Sequence, residues 1–149
     1  MNGYMKLAAD EARKGIRAHH GGPFGAVIVK DGTVIGRGHN EVIHRNDPTC
    51  HGEMMAIHDA CSNIGSFDLS GCEIYTTAEP CPMCLGAILW ANIGRVFYGC
   101  TVSDTDSIGF RDGRFYEITS GEKDFLVMTD RDECLEIFEE YSSGVHENY

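Results

Sequence analysis

The stretch TAEPCPMCLGAILWA, residues 77–91, decides the fold because it predicts a helix between two strands. Pro80 and Pro82 suit a helix start, where a missing N–H costs nothing, and the apolar run after them predicts a helix from Cys81 to about Asn92. CEIYTT before this helix and RVFYGC after it are short runs rich in β-branched and aromatic residues. Strand, helix and strand in this order predict a parallel βαβ unit.

The segments before this unit predict two more helices and a hairpin. A first helix is expected to end near the Gly-Gly-Pro sequence at 21–23, and its apolar face consists of Leu7, Ala8, Ala12 and Ile16. FGAVIVK and TVIGRG are predicted strands joined by Asp31-Gly32, a two-residue hairpin signal. HGEMMAIHDACSNIG, residues 51–65, has helical apolar spacing and ends at Gly65. The pattern as a whole predicts a layered α/β fold.

The last third of the chain gives weaker signals. TVSDTDSIGFRDGRFY, residues 101–116, is rich in Asp, Ser and Gly and predicts either a loop or a capped helix. RDECLEIFEEYSSG, residues 131–144, has apolar residues at helical spacing among acidic ones, which predicts an amphipathic surface helix. Because the sequence shows no internal repeat or linker, we expect one domain over residues 1–149.

Charge and composition disfavour several classes of protein. The 149 residues have a formal net charge of −11, and such a surface repels the phosphates of nucleic acids. The apolar runs fall short of the ~18 residues of a membrane span, and the first residues lack the apolar core of a secretory signal. Seven cysteines, an odd number, favour thiols in a reducing compartment. We therefore expect a cytoplasmic protein with neither nucleic acid nor membrane as a partner.

Four residues have the chemistry of a catalytic zinc site. Cys81 and Cys84 are three residues apart at a predicted helix start, where the helix dipole favours thiolates. His51 begins the other central helix, so the two helix starts can deliver three ligands and leave a fourth position for water. Glu53 is expected to stay off the metal and to act as general base and acid. We predict one Zn²⁺ per chain, held by His51, Cys81 and Cys84.

The motifs His-Gly-Glu at 51–53 and Pro-Cys-Pro-Met-Cys at 80–84 resemble those of the zinc-dependent cytidine and deoxycytidylate deaminase superfamily. The likeness is closest to small bacterial guanine deaminases, through GGPFGAVIVKDG, NDPT, EPCPMCLGAI, GFRDGRFY and the final tyrosine. The resemblance implies a three-layer α/β/α cytidine deaminase-like fold with a mixed, mostly parallel central sheet. It also implies a homodimer whose C-terminal segments can be exchanged between subunits.

By the same resemblance, five further residues would bind the substrate. Asn40 would hold the base, Phe24 would stack near it, and Asp112 would bind amino or ring N–H groups. Gly52 stands where the family usually has Ala, keeping the backbone N–H but loosening the helix start. Tyr149 would close the pocket of a neighbouring subunit.

The predicted function is hydrolytic deamination of a free purine base, guanine to xanthine and ammonia, within purine metabolism. Hydroxide on zinc would attack the amino-bearing carbon while Glu53 moves protons. The acidity of the chain favours a neutral base over a nucleotide or tRNA. A tRNA adenosine deaminase and a cytosine or nucleoside deaminase are the alternatives within the same chemistry.

Structural explanations stay open for the same residues. A zinc-stabilised binding module without catalysis could use Cys50 as a fourth ligand. The substrate contacts could instead be turn, core or frayed terminal residues. His58 lies roughly 10 Å along the helix from His51, too far to share its ion. The remaining histidines have no partner spacing, and no role is predicted for His19, His20, His39, His44 and His146.

Overall fold

The computed structural model describes residues 2–149. Within these residues the elements follow in the order α1 (Gly3–Arg17), β1 (Gly25–Lys30), β2 (Thr33–His39), α2 (Val42–Arg45), α3 (Gly52–Ile64), β3 (Cys72–Ala78), α4 (Pro82–Trp90), β4 (Arg95–Cys100), α5 (Val102–Ser107), α6 (Asp112–Ser120) and α7 (Arg131–Ser142). None of these helices is both long and apolar enough to cross a membrane.

The four strands form one mixed sheet in the order β2-β1-β3-β4. β3 and β4 are parallel, as the βαβ prediction requires. β1 is antiparallel to both of its neighbours, with Val27 opposite Arg37 on one side and Tyr75 on the other. The mixed α/β sheet is confirmed. The expectation of a mostly parallel sheet is wrong when the hydrogen-bonded strand pairs are counted. Although β2, β3 and β4 run in the same direction, β1 lies between β2 and β3, so two of the three pairings are antiparallel.

Helices cover both faces of the sheet, which gives the predicted three layers. α1 packs on one face through a buried cluster of Ala8, Val27, Val29 and Tyr75. α3 and α4 pack on the other face, where the larger apolar cluster includes Ile28, Ile74, Ala56, Ala60 and Ile88. Five of the six residues of β1 are buried, because this strand lies between β2 and β3 and helices pack on both faces of the sheet.

Two glycines of β2 allow α3 to lie directly on the sheet. A Cβ at Gly38 would come within 2.4 Å of the backbone nitrogen of Ala56 and 2.7 Å of the carbonyl oxygen of Gly52. A Cβ at Gly36 would come within 2.6 Å of the Ala56 carbonyl oxygen. Because backbone atoms cannot move aside as a flexible side chain does, these contacts fix the distance of the start of α3 from the strand.

The turn signals are confirmed where the backbone requires them. Asp31 and Gly32 have φ angles of 48° and 78°, the left-handed conformation of a two-residue hairpin turn. Gly65 ends α3 with a φ of 66°. The segment at 101–116, which the sequence left as loop or helix, contains α5 and the start of α6. α5 begins with a capping box between Thr101 and Asp104, which explains the Asp- and Ser-rich composition.

The predicted amphipathic helix near the C-terminus is present as α7, but most of its apolar surface is exposed in this chain. Ile137 and Phe138 are 63% and 70% exposed, and α7 has no buried residue. The segment before it is also apolar and exposed, at Phe125, Leu126, Val127 and Met128. Adjacent exposed apolar residues of this kind are typical of a surface that another chain covers.

We predict opposite effects for alanine at two glycines. Gly38→Ala places a methyl group against the backbone of α3 and should destabilise the fold by about 1–3 kcal/mol, as overpacking does. Gly86→Ala, in α4 with no atom within 4 Å of its Cβ position, should stabilise it by up to about 1 kcal/mol. Urea denaturation of both zinc-loaded variants measures the difference. Equal stability of the two would show that α3 can move away from β2 at no cost.

Candidate zinc centre and active site

The two central helices both begin at a predicted metal ligand. His51 is the N-cap of α3 and Cys81 is the N-cap of α4, and both have extended backbone conformations. Neither side chain makes a capping hydrogen bond to its own helix. Pro82 occupies the first turn of α4, as its missing N–H favours. The side chains at both helix starts are therefore free to point into the space between them.

The predicted ligands meet in that space. Nδ1 of His51 lies 3.5 Å from Sγ of Cys81 and 3.5 Å from Sγ of Cys84. A tetrahedral zinc ion with bonds of about 2.3 Å to sulfur and about 2.0 Å to nitrogen separates the two ligand atoms by about 3.6 Å. Both cysteines are buried and His51 is partly buried. The distances, the donor atoms and the burial all fit a zinc ion with one coordination position left open.

The charges of the two thiols also suit a cation. A hydrogen bond from Cys84, and a second contact with His51, lower the pKa of Cys81 to about 4. The same hydrogen bond to Cys81, together with burial, raises the pKa of Cys84. The pair by itself therefore holds one proton between two sulfur atoms. A dication at the point where the sulfurs converge stabilises both as thiolates.

Glu53 lies beside the three ligands and is not one of them. Its side chain is buried in the first turn of α3, and its Oε1 accepts a hydrogen bond of 3.3 Å from the Thr76 hydroxyl on β3. Burial is the largest cause that raises the pKa of Glu53. A carboxyl group that is buried, hydrogen-bonded through one oxygen and close to the metal ligands is suited to proton transfer.

A narrow cavity opens over this centre and brings most of the predicted site together. It is lined by Phe24, Asn40, His51, Glu53, Ala78, Glu79, Cys81, Phe110 and Asp112. Its volume is about 30 Å³. A larger apolar groove of about 660 Å³ adjoins it and shares His51, Cys81 and Asp112 as wall residues.

Asn40 is fixed so that a hydrogen-bond donor is left for a ligand. Its side chain is almost fully buried, and Oδ1 accepts hydrogen bonds from the backbone N–H groups of Gly22 at 3.3 Å and Val42 at 3.1 Å. Its Nδ2 has no hydrogen-bond partner among residues 2–149. A Cβ at Gly21 would come within 2.1 Å of Oδ1, so glycine is required there. Asn40 can therefore offer an N–H to an acceptor in the cavity.

Phe24 and Asp112 contribute an aromatic wall and an acceptor. The ring of Phe24 meets that of Phe110 edge to face, with centroids 4.8 Å apart. Asp112 is the first residue of α6 and lines both the cavity and the groove. Burial and the charge of Cys81 raise the pKa of Asp112. These two side chains provide the surfaces that a flat ring with polar edges needs.

Two of the predicted substrate contacts lie elsewhere in this chain. Gly52 is buried at the start of α3, but it does not line the cavity. Tyr149 packs at the far end of α4, with its ring 5.8 Å from that of Trp90 and 6.1 Å from that of Phe67. A role for Tyr149 in a neighbouring subunit stays a prediction.

Three residues near the centre were not singled out from the sequence. Phe110 and Glu79 line the cavity, and the Tyr116 hydroxyl donates a hydrogen bond of 2.5 Å to the carbonyl oxygen of Pro80, next to Cys81. Phe110 and Tyr116 belong to GFRDGRFY, and Glu79 precedes the Pro-Cys-Pro-Met-Cys motif. Their place in these motifs is the signal that could have identified them.

The alternative zinc site with four protein ligands finds little support. Among residues 2–149 the cluster that converges on the cysteines contains His51, Cys81 and Cys84, and Cys50 is not part of it. Cys50 is buried beside Asp47, and burial raises the pKa of its thiol. His58 also lies outside the cluster, as expected. The fourth coordination position is therefore open to a small molecule.

Comparison with known proteins gives the same assignment. Residues 1–100 match the cytidine and deoxycytidylate deaminase zinc-binding region. The chain belongs to this family. It is 49% identical over 114 residues to guanine deaminase of Bacillus subtilis, covering 76% of this chain and 73% of that protein. The X-ray structure of the Bacillus subtilis guanine deaminase superposes with a TM-score of 0.90 at 39% identity, covering 100% of this chain and 99% of the other.

Two other relatives of this chain are deaminases with different substrates. A guanine deaminase from Nitrosomonas europaea superposes with a TM-score of 0.70 at 32% identity, covering 74% of this chain and 64% of the other. A tRNA-specific adenosine deaminase of Aquifex aeolicus is 43% identical over 97 residues, which are 64% of this chain and 62% of that protein. The chain is a zinc-dependent deaminase with one zinc ion per chain, and the cluster of His51, Cys81 and Cys84 has the ligand atoms for it.

We predict that one cysteine variant loses zinc and a second keeps it. Cys84→Ser removes a thiolate ligand and should reduce bound zinc well below one ion per chain after dialysis. Cys50→Ser is the matched control, because this cysteine is equally buried and lies outside the cluster, and it should keep one zinc ion. Elemental analysis of the purified proteins measures both. Release of zinc by Cys50→Ser would instead establish a site with four protein ligands.

Proposed function

We propose that this deaminase converts guanine and water to xanthine and ammonia. The observation that carries the proposal is the inner cavity, whose walls combine a zinc centre, a buried carboxyl group, a fixed amide donor and an aromatic ring. These groups complement the edges and faces of a free purine. The likeness to guanine deaminases over most of the chain supports the same substrate.

Four side chains bind the base or move protons in this reaction. Asn40 donates its N–H to an acceptor on the base, Phe24 packs on the ring, and Asp112 accepts from amino or ring N–H groups. Glu53 takes a proton from the attacking water and passes it to a ring nitrogen; it then takes the second proton from the hydroxyl group added to the carbon and gives it to the departing amine. The zinc ion, when bound, lowers the pKa of water at its open position.

The cavity walls also explain the preference for a free base. Neither the inner cavity nor the adjoining groove has a lysine or arginine among its lining residues in the part of the chain described. The net charge of −11 adds a general repulsion of phosphates. Both features disfavour a nucleotide or an RNA. Deamination of tRNA adenosine is the second candidate because the chain is 43% identical to a tRNA-specific adenosine deaminase.

We predict that Glu53→Gln keeps zinc and loses turnover. The amide has nearly the shape of the carboxyl group and can still accept from Thr76, but it cannot carry protons, so kcat should fall by at least about 10²-fold. Ammonia release is measured for both proteins with guanine, guanosine, adenine, cytosine and a tRNA anticodon stem.

Wild-type protein should release ammonia from guanine in preference to the other substrates. Activity on the RNA alone would overturn the choice of substrate. Undiminished activity of Glu53→Gln at one zinc ion per chain would overturn the role of this residue. Zinc content is the control in each case, because a loss of metal would stop the reaction for a different reason.

We also propose a homodimer in which the C-terminal segment of one chain lies on the other. The exposed apolar residues at 126–128 and in α7 are a supporting observation, because most of their apolar surface is not covered in their own chain. The open apolar groove beside the zinc centre, lined by Pro48, Met83, Phe115, Ile118 and Phe125 among others, is a surface of matching character. In this arrangement residues 1–149 act as one catalytic unit with Tyr149 near the partner's cavity. Cytoplasmic residence and a place in purine metabolism are proposals from the sequence.

We predict complementation between two defective chains. Tyr149→Ala should raise the KM for guanine, and Glu53→Gln should be inactive. When the two chains are co-expressed with different tags and mixed dimers are purified, the intact Glu53 of one chain lies near the intact Tyr149 of the other. The KM should then return towards the wild-type value, whereas a KM equal to that of Tyr149→Ala alone would show that Tyr149 acts only within its own chain.

A further inference from the structure

A second cluster of metal-binding side chains lies outside the zinc centre. His20, His39 and Glu41 place one ligand atom each within 4.8 Å of the others. Nδ1 of His20 is 2.9 Å from Nε2 of His39, and Oε1 of Glu41 is 3.7 Å and 3.9 Å from these two nitrogen atoms. Spacing in the sequence does not predict this cluster, because His20 and His39 are nineteen residues apart.

The neighbouring carboxylate of Glu11 fixes the tautomer of His39 so that Nε2 can bind a metal ion. Nδ1 of His39 lies 3.3 Å from Oε2 of Glu11, which is buried on α1. Because an ionised carboxylate can only accept, Nδ1 carries the proton and Nε2 presents its lone pair to His20 and Glu41. An imidazole whose second nitrogen donates to a carboxylate is the usual arrangement of a metal-binding histidine.

Glu41 and the neighbouring Glu11 each contact a cation through one carboxylate oxygen and face an imidazole with the other. Oε2 of Glu41 is 2.6 Å from Nε of Arg45, which leaves Oε1 facing the two histidines. Oε1 of Glu11 is 2.5 Å from Nζ of Lys14, which leaves Oε2 for His39. Arg45 and Lys14 thus hold the carboxylates in place from outside without occupying the oxygen atoms that face inward.

The two imidazole rings are also held by packing. The ring of His44 stacks on that of His20 with centroids 4.3 Å apart, and the His20 carbonyl oxygen accepts the backbone N–H groups of Ile43 and His44 at 3.0 Å each. A Cβ at Gly15 would come within 2.8 Å of the His39 ring, so this glycine makes room for it. The positions of the two imidazole rings are therefore set before any ion binds.

We propose that His20, His39 and Glu41 form a second metal site, for a late first-row divalent cation such as Zn²⁺, Co²⁺ or Ni²⁺. Imidazole and carboxylate ligands suit these ions. Bonds of about 2.0–2.1 Å place adjacent ligand atoms about 2.9–3.4 Å apart, so Glu41 has to move inward by well under 1 Å. Binding of the ion at Nδ1 of His20 requires the tautomer of this ring that carries its proton on Nε2.

The site lies directly behind the predicted base-binding residue. Asn40 stands between His39 and Glu41 in the chain, and its Oδ1 accepts from Gly22 in the loop that carries His20. An ion that joins His20 to His39 and Glu41 therefore fixes the loop and the strand end that position Asn40. This consequence for substrate binding rests on the function proposed above, whereas the binding of the ion does not.

The test is a titration of zinc-loaded protein with Co²⁺, followed by visible absorption. Wild-type protein should bind one further ion per chain, with cobalt d–d bands and no sulfur-to-cobalt charge transfer, because the site has no cysteine. His20→Asn and Glu41→Gln should weaken this binding at least tenfold. Glu11→Gln, which removes the acceptor of His39 without removing a ligand, should weaken it by about 10–100-fold.

His58→Asn is the matched control and should bind cobalt as wild-type protein does, because His58 lines the neighbouring cavity and lies outside the cluster. Retention of one zinc ion in every variant shows that the fold and the first site are intact. Charge-transfer bands during the titration would mean that cobalt had replaced zinc at the cysteines. Uptake of no second ion by wild-type protein, or equal uptake by His20→Asn, would overturn the proposal and leave the cluster as a hydrogen-bond network.

Discussion

The convergence of three ligand atoms from two helix starts is the constraint on which the structure depends. Nδ1 of His51 must lie about 3.6 Å from each sulfur atom for one zinc ion to bind all three, and it lies 3.5 Å from both. Such a distance tolerates little movement of α3 relative to α4. Gly38 removes the side chain that would hold α3 away from β2, and Tyr116 ties Pro80 beside Cys81. The three layers therefore serve as a rigid support for one coordination sphere.

The charges around this centre are arranged for a neutral substrate. Two thiolates, a neutral imidazole and Zn²⁺ sum to zero, so the ion does not by itself attract an anion. The acidic groups Glu53 and Asp112 lie beside it, and the cavity lining in the described chain contains no lysine or arginine to balance them. Three cationic residues near the start of the chain are paired locally, Lys6 and Arg13 with Asp10 and Lys14 with Glu11. A purine base crosses this surface with less electrostatic cost than a phosphate does.

Local patterns predicted the parts of the site that lie next to strong secondary-structure signals. His51 and Cys81 are the N-caps of two helices and Cys84 lies in the first turn of α4, as their sequence positions predicted, and Asn40, which follows β2, lines the cavity. The sequence could not place β1 between β2 and β3, because strand order depends on packing of distant segments. For the same reason it missed the meeting of His20 with His39 and Glu41. Phe110 was not predicted as a wall residue because it lies in the loop between α5 and α6, where no helix or strand period indicates which side chains face the cavity.

The two clusters differ in ligand chemistry, and that difference gives them different metal affinities. Cys81 and Cys84 provide buried thiolates, which hold zinc tightly. His20, His39 and Glu41 provide only nitrogen and oxygen, on partly exposed side chains that also contact Arg45 and one another. A free ion concentration that saturates the first cluster would leave the second partly occupied. Asn40 is joined to the second cluster through the backbone on both sides. The rigidity of Asn40 would therefore depend on the concentration of free metal ion, while the catalytic zinc remained in place.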